Sequence, residues 1–300
     1  MTPLEEAPDA LAAGRRLYLK REDVHELGAF KWRGALPALE RFRKKGASAV
    51  VTASTGNHGA ATAWAAERLR MEARVYAPAE ASRTKLDLLE RLGAAVRLVD
   101  GDLDRAKDAA RSDADRDGLP FFEDGAEPAQ YEGYASIGDE ILRQLEEPPA
   151  AVVVPVGNGA LLGGVGRVIL SRSPRTLRVG VVAKAAPVMA DSWRAGEALV
   201  SEHSGTIADG LAVRVAIPYA VAELRKVSTH MLRVSERRIA TAVAAFADAG
   251  IRVEPAAAAG LAALDQLPAL DGAIVLVVTG CNIDGELLER ARAAPGSFPE

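Results

Sequence analysis

The sequence predicts an α/β protein built on open, mostly parallel sheets with helices on both faces. Three observations lead to that class. Short Val-rich segments alternate with longer helical stretches along most of the chain. Those short segments mostly lack polar alternation, as strands covered on both faces do. Several of them also run into a turn of glycine and small polar residues that opens a helix, the local design of a βα unit.

Taken in order, the predicted strands are 16–20 (RLYLK), 48–53, 73–77, 94–99, 150–156, 176–183 and 273–279 (AIVLVVT). The predicted helices are 30–44, 58–70, 83–92, 103–116, 131–146, 236–249, 255–266 and 284–293. Gly93 closes the helix 83–92, Ser235 precedes 236–249 and Gly250 ends it, each a residue type suited to a helix terminus. The rhythm breaks at 119–135 and again at 184–229, the second stretch reading as loops and short helices, so two sheets are expected. The Ala-rich segments carry recurring Leu, Val and Ile and read as tightly packed helices.

Composition narrows the function. The chain has 300 residues, 49% hydrophobic and 26% charged, enough for a large core, and its formal charge of -4 argues against a nucleic-acid partner. Cys281 is the single cysteine, so neither an intrachain disulfide nor a thiolate-rich metal site is expected, and no HExxH, EF-hand or His/Cys cluster specifies a metal. The segment MTPLEEAPDA is no secretory signal, and runs such as AVVVPV are too short to span a bilayer, which points to a cytoplasmic protein without a membrane partner.

Three strand–turn–helix units stand out: VVTASTGNHGAA (50–61), VVVPVGNGALLGG (152–164) and VLVVTGCNID (275–284). In the second, Gly157, Asn158, Gly159, Ala160 and Leu161 open a helix whose free N–H groups suit a phosphate. The run matches neither GxGxxG nor GxxxxGK[ST], which disfavours a dinucleotide or a nucleoside triphosphate. In the first, Ser54, Thr55, Gly56, Asn57 and His58 set hydroxyls, a carboxamide and an imidazole beside exposed backbone donors, a set able to hold a carboxylate. Glycines in such places also serve simply as tight turns, and from the residues alone both readings stay open. Lys31 by itself reads as an exposed helix lysine beside Arg33 and Arg41, on a par with Lys20 and Lys184 as an amine nucleophile. Cys281 reads as a small neutral filler, and His203 and His230 as surface or packing residues.

The ordered set of motifs is more specific than any one of them. TPL (2–4), LYLKRED (17–23), GAFKWRGA (28–35), ASTGNHGAA (53–61), EGYASIGDEIL (132–142), VPVGNGALLGG (154–164), ADG (208–210), EPAAAAGLAAL (254–264) and TGCNID (279–284) follow one another along the chain. In this it resembles the fold-type II pyridoxal-phosphate enzymes: threonine and serine dehydratases, serine racemase, threonine synthase and cysteine synthase. The resemblance implies two open three-layer α/β/α domains of the tryptophan-synthase-beta-like kind. Residues 1–44 and 126–300 would form a large cofactor-binding domain and 45–125 a small mobile one. It implies pyridoxal 5′-phosphate as cofactor, with Lys31 forming the Schiff base after Phe30 and Asn57 hydrogen-bonding the 3′-oxygen. Gly157, Asn158, Gly159, Ala160 and Leu161 would take the phosphate, and Thr279 would face the pyridine nitrogen. Ser54, Thr55, Gly56 and His58 would line the loop for the substrate carboxylate, with Ser54 and Thr55 at the reaction itself. A homodimer is expected with it.

The implied activity is α,β-elimination from L-threonine or L-serine to a 2-oxo acid and ammonia. The alternatives are β-replacement or a threonine-synthase-like reaction through an aminoacrylate or aminocrotonate, and racemisation. A hydroxyl at Thr279 makes one hydrogen bond to the ring nitrogen without the full protonation that a carboxylate enforces, which suits elimination. The subgroup signals are mixed: STGN, GDLD (101–104), GNG and TG lean to threonine synthase, while His58 and NID lean to the dehydratases. A phosphorylated substrate would need a further anion pocket, for which Arg33 or Arg83 are the residues at hand. Three departures accompany the match: Ala29 stands where relatives commonly carry Ser, Val182 stands where dehydratases often carry Glu, and the chain starts almost at TPL, without the helix that usually precedes it. Asp209 and Glu254 are the positions where some relatives hold a cation.

Overall fold

The computed structural model describes residues 1–300. In chain order the elements are β1 (Leu4–Glu6), α1 (Asp9–Ala12), β2 (Leu17–Arg21), α2 (Trp32–Lys44), β3 (Ala49–Ala53), α3 (Asn57–Leu69), β4 (Glu72–Pro78), α4 (Arg83–Arg91), β5 (Ala95–Val99), α5 (Leu103–Asp117) and α6 (Pro128–Gln144). They continue with β6 (Ala151–Pro155), α7 (Ala160–Arg172), β7 (Leu177–Ala183), α8 (Val188–Ala195), α9 (Pro218–Val227), β8 (His230–Val234), α10 (Glu236–Asp248), α11 (Pro255–Ala262), β9 (Ile274–Val278) and α12 (Gly285–Ala293). The mixed α/β fold with mostly parallel sheets is the one expected. Each predicted strand is present to within about two residues at either end.

The chain forms two compact units, one of Met1–Phe30 with Tyr134–Glu300 and one of Lys31–Gly133. The first is built on a six-stranded sheet in the order β1-β2-β9-β6-β7-β8, parallel throughout except for β1. β6 and β9 lie at its centre with all of their residues buried, so both faces of a Val-rich run find apolar cover. On one face Val153, Val181 and Leu276 pack in a cluster with Ala258 of α11 and Ile239 and Phe246 of α10. α11 is nearly all alanine with no polar stripe, which matches its complete immersion at Ala256–Gly260.

The second unit carries the parallel sheet β3-β4-β5. Ala106, Ala110 and Ala114 repeat every four residues along α5 and lay one stripe against Val51 and Ala53. On the opposite side Ala60 of α3 and Leu89 of α4 enclose Val75. Phe121 continues the sheet through a parallel bridge to Val51. The resemblance implies a division at 44 and 126, whereas here α2 belongs to the second unit, its Trp32 ring 6.0 Å from Trp64 of α3.

The strands β1 and β8 and the short helix α1 are absent from the sequence expectation, whereas α7 is the helix that the 157–161 turn opens and α8 and α9 are short helices inside the stretch 184–229. β1 and β8 are the two edges of the sheet. An edge strand is covered on fewer sides, so β8 (HMLRV) is half-exposed and lacks the Val run that marks the central strands.

Lys20 of β2 has no exposed surface, and its ammonium donates to Thr2 O at 2.7 Å, Gln144 Oε1 at 2.9 Å and Glu140 Oε2 at 2.6 Å. It therefore ties the strand to α6. Lys20→Met leaves the Glu140 carboxylate largely buried without its cation, and we expect a loss of about 3 kcal/mol in urea unfolding.

Candidate active site

The three candidate lysines have different surroundings. Lys20 is consumed by the buried network just described. Lys184 is exposed at the end of β7. Lys31 is the residue before α2, not within it, and its side chain keeps 17% exposure, covered yet reachable. Its ammonium pairs with the Asp124 carboxylate.

Asp124 lies just beyond Phe122, in the stretch where the sequence rhythm breaks. Its Oδ1 accepts from Gln130 Nε2 at 3.1 Å, while Gln130 Oε1 accepts the Gly125 N–H at 2.8 Å and Tyr131 donates its hydroxyl to Gly125 O at 2.8 Å. The first turn of α6 thus fixes the carboxylate. Burial works to raise the Asp124 carboxyl, but the Lys31 charge, the His58 ring and hydrogen bonds from Lys31 and Gln130 outweigh it and bring it down to about 2.

His58 Nδ1 stands 3.6 Å from Asp124 Oδ1. Its Nε2 lies 3.1 Å from Thr52 Oγ1 and 3.2 Å from Phe122 O, and Thr52 spends its own hydrogen on that carbonyl at 2.8 Å. A carbonyl only accepts, so the ring hydrogen sits on Nε2 and Nδ1 presents a lone pair. Burial lowers the His58 pKa, Asp124 opposes that shift and Lys31 adds to it, so the ring is neutral at pH 7. His58 is therefore buried against Thr52 and Phe122.

The other turn residues are more accessible. Gly56 is exposed, and Ser54, Thr55 and Asn57 are half-buried. Ser54 Oγ accepts the Gly56 N–H at 3.2 Å and shapes the turn. Gly59 is required here, because a Cβ would stand 2.5 Å from Ser54 O. Helix α3 begins at Asn57, so its first amides and dipole face the turn.

In the first unit, the glycine turn follows β6. Gly159 caps α7 in the left-handed region at φ 96°, and a side chain there would meet Leu224 Cδ1 at 2.7 Å. Asn158 Oδ1 accepts the Ala160 N–H at 3.0 Å. Thr279 follows β9, three residues beyond Leu276, which pairs with Val153, so it is level with Val156 before the glycine turn. Its side chain is 3% exposed and Oγ1 has no hydrogen-bond partner. Phe30 donates its N–H to Thr279 O at 3.0 Å, and its ring lies 5.1 Å from that of Tyr134.

Other named residues have structural surroundings. Asp284 caps α12, accepting from Glu286 N at 2.9 Å and Leu287 N at 3.2 Å. Cys281 faces Asp23 O at 3.6 Å, and burial, then Asp23 and Glu254, push its thiol pKa up, away from a nucleophile. Arg83 is 73% exposed and paired with Asp87 at 2.7 Å, whereas Arg33 is buried with its guanidinium 4.9 Å over the Trp32 ring. Asp124, Gln130 and Thr52 are the site neighbours that the motifs did not point to.

A phosphorylated pyridine aldehyde requires an amine, an anion cradle and a ring-nitrogen partner; Lys31 in the second unit, and the glycine turn and the Thr279 hydroxyl in the first, are each of the type required. The comparisons show the family. The chain belongs to the pyridoxal-phosphate dependent enzyme family, whose profile matches residues 1–280. It is 34% identical over 283 residues to an L-threonine ammonia-lyase of Thermotoga maritima, spanning 92% of this chain and 70% of the relative. A biosynthetic L-threonine dehydratase of Mycobacterium tuberculosis is 34% identical over 307 residues, spanning 97% of this chain and 71% of that one. Among solved structures, the processed threonine deaminase isoform 2 of Solanum lycopersicum superposes with a TM-score of 0.93 at 30% identity, covering 99% of this chain and 88% of the other. Maize serine racemase gives 0.89 at 26% identity, covering 97% and 91%. Pyridoxal 5′-phosphate is thus the cofactor.

Two outcomes follow from the titrating groups. In ¹H–¹⁵N spectra His58 should be the neutral Nε2–H form at pH 6.5, where an ordinary histidine is about half charged. A doubly protonated ring at that pH would contradict the burial. The folded Asp124 carboxyl lies below its unfolded value of about 3.9, so its stabilisation is complete above that pH and fades as pH falls through about 2. The difference in urea-unfolding stability between the protein and Asp124→Asn should be level from pH 5 to 7 and shrink below pH 4.

Proposed function

We propose that the chain is a pyridoxal-phosphate ammonia-lyase that converts L-threonine or L-serine to the 2-oxo acid and ammonia. The observation that carries this reading is the Thr279 hydroxyl, buried and without a partner at the end of the central strand. It offers a ring nitrogen one hydrogen bond and leaves the ring a moderate electron sink, which suits loss of a β-hydroxyl. The named activities of the relatives support the same reading: threonine ammonia-lyase, threonine dehydratase and threonine deaminase.

In this reading Lys31 would bond the cofactor aldehyde, with Phe30 beside it and Asn57 toward the 3′-oxygen. Gly157, Asn158, Gly159, Ala160 and Leu161 would hold the phosphate through amide hydrogens and the α7 dipole. When bound, the cofactor supplies the sink for the electrons left by the departing α-proton. Ser54, Thr55 and Gly56 take the substrate carboxylate at the start of α3, where the helix dipole favours an anion. Lys31 Nζ, once free of the cofactor, would be the base that takes the α-proton. His58 serves this site from behind, through Asp124, and keeps the loop side of the carboxylate neutral. The hydroxyl leaves as water. Water then replaces nitrogen, so that threonine is converted to 2-oxobutanoate and ammonia with no other reactant. The exposed, already paired Arg83 lends no support to a phosphorylated substrate.

The working enzyme is taken to be a cytoplasmic homodimer, a closed arrangement common among soluble enzymes, with 45–125 as its mobile part. No helix is long and apolar enough to cross a membrane.

Incubation with L-threonine or L-serine should release 2-oxo acid and ammonia in equal amounts without any added nucleophile. Product only after a thiol or amine is supplied would favour β-replacement, phosphate from phosphohomoserine a threonine-synthase-like reaction, and D-serine without oxo acid a racemase. Borohydride treatment followed by peptide mapping should find the reduced cofactor on Lys31, and Lys31→Ala should lower oxo-acid formation at least 1,000-fold, on the order seen when a covalent catalytic group is removed.

A further inference from the structure

We propose that Asp124 is a positioning residue, the counter-charge that holds the Lys31 amine whenever it is not bonded to the cofactor. By stabilising that released form, it sets how readily Lys31 gives way to an incoming amino acid. The proposal rests on the reading of Lys31 as the cofactor lysine and goes beyond it.

The geometry gives Asp124 one principal cation. Oδ2 faces the Lys31 ammonium, and Oδ1 accepts from Gln130 Nε2 at 3.1 Å. On the remaining side His58 turns a lone pair, not a hydrogen, toward Oδ1 at 3.6 Å, because its hydrogen is committed to Thr52 and Phe122 on the far edge of the ring. The charged and titrating groups around that ring are Asp124, Lys31 and, further out, Lys107. Gln130 itself is held, its Oε1 accepting the Gly125 N–H at 2.8 Å, so the donor to Asp124 Oδ1 is fixed in place.

An ammonium brings a full charge and three hydrogens to such a carboxylate, whereas the nitrogen of a C=N bond is planar and carries at most one hydrogen. A fixed carboxylate therefore favours the released lysine over the bonded one. The exchange balances by itself. The α-ammonium of the amino acid and the protonated Lys31–cofactor C=N become a protonated amino-acid–cofactor C=N and the Lys31 ammonium. One C–N bond forms, one breaks, and two positive charges stand on each side. Asp124 draws this exchange toward released lysine and, by the same preference, loosens the hold of Lys31 on free cofactor.

Asp124→Asn keeps the shape and an oxygen for Gln130 while removing the charge. Two constants are measured on purified protein: the Kd for pyridoxal 5′-phosphate from its absorbance on adding it to the apoprotein, and the spectral exchange constant with L-alanine, which has no β-substituent to lose. The expected result is that Asp124→Asn lowers the Kd about tenfold and shifts the exchange constant about tenfold toward Lys31, a single charge-assisted hydrogen bond's worth. Asp124→Glu should recover part of both shifts. Unchanged constants would overturn the proposal, and so would weaker cofactor binding together with a lower Tm, which marks a purely structural role. Lys31→Ala distinguishes the two levels. If the absorbance band of the bonded cofactor survives in Lys31→Ala, the reading of Lys31 falls and this proposal with it. If the band is lost there while Asp124→Asn behaves as wild type, only the role of Asp124 falls.

Discussion

A short main-chain tie at the end of β9 underlies the arrangement. Phe30 N–H donates to Thr279 O at 3.0 Å, Cys281 N–H donates to Gly28 O at 2.8 Å, and Ala29 and Gly280 form an antiparallel bridge between them. These bonds fasten Gly28, Ala29 and Phe30 to the end of a fully buried central strand. They also use the main-chain oxygen of Thr279, while its hydroxyl has no hydrogen-bond partner. Ala29 fits this tie well: its methyl is 2% exposed, and a hydroxyl there would need a partner of its own.

The second unit adds a line of polar groups with one direction of donation. Thr52 and His58 both give hydrogens to Phe122 O, Gln130 gives to Asp124, and Lys31 gives to the other carboxylate oxygen. Each partly buried group is satisfied without a second positive charge. The neutral ring of His58 fills space beside the carboxylate while leaving the lysine as its cation.

Much of this was legible in the residues. The central strands announce themselves as Val-rich runs because parallel strands need apolar cover on both faces, and the turns at 54–59 and 157–161 follow from glycine and small polar residues at strand ends. Ser235 and Asp284 cap α10 and α12 as their residue types suggest. The rest depends on contacts distant in sequence. Lys20 and Lys31 look alike until a strand–helix contact buries the first on Glu140, 120 residues away. Asp124 sits 93 residues from Lys31 in a stretch without periodicity, so nothing local marks it as a partner. β1 and β8 escaped because an edge strand has no full apolar surround to imprint on its sequence.

Those edges have a further consequence. β1 closes one side of the large sheet with three residues, two of them glutamates, running against the direction of its neighbours. A long, flat, apolar border would offer its unpaired amides to any passing strand. A brief acidic border of opposite polarity denies that template, and Arg21 of β2 holds Glu5 in place at 2.8 Å. Protection from sheet-to-sheet aggregation is thus built into the strand that the hydrophobic pattern did not reveal.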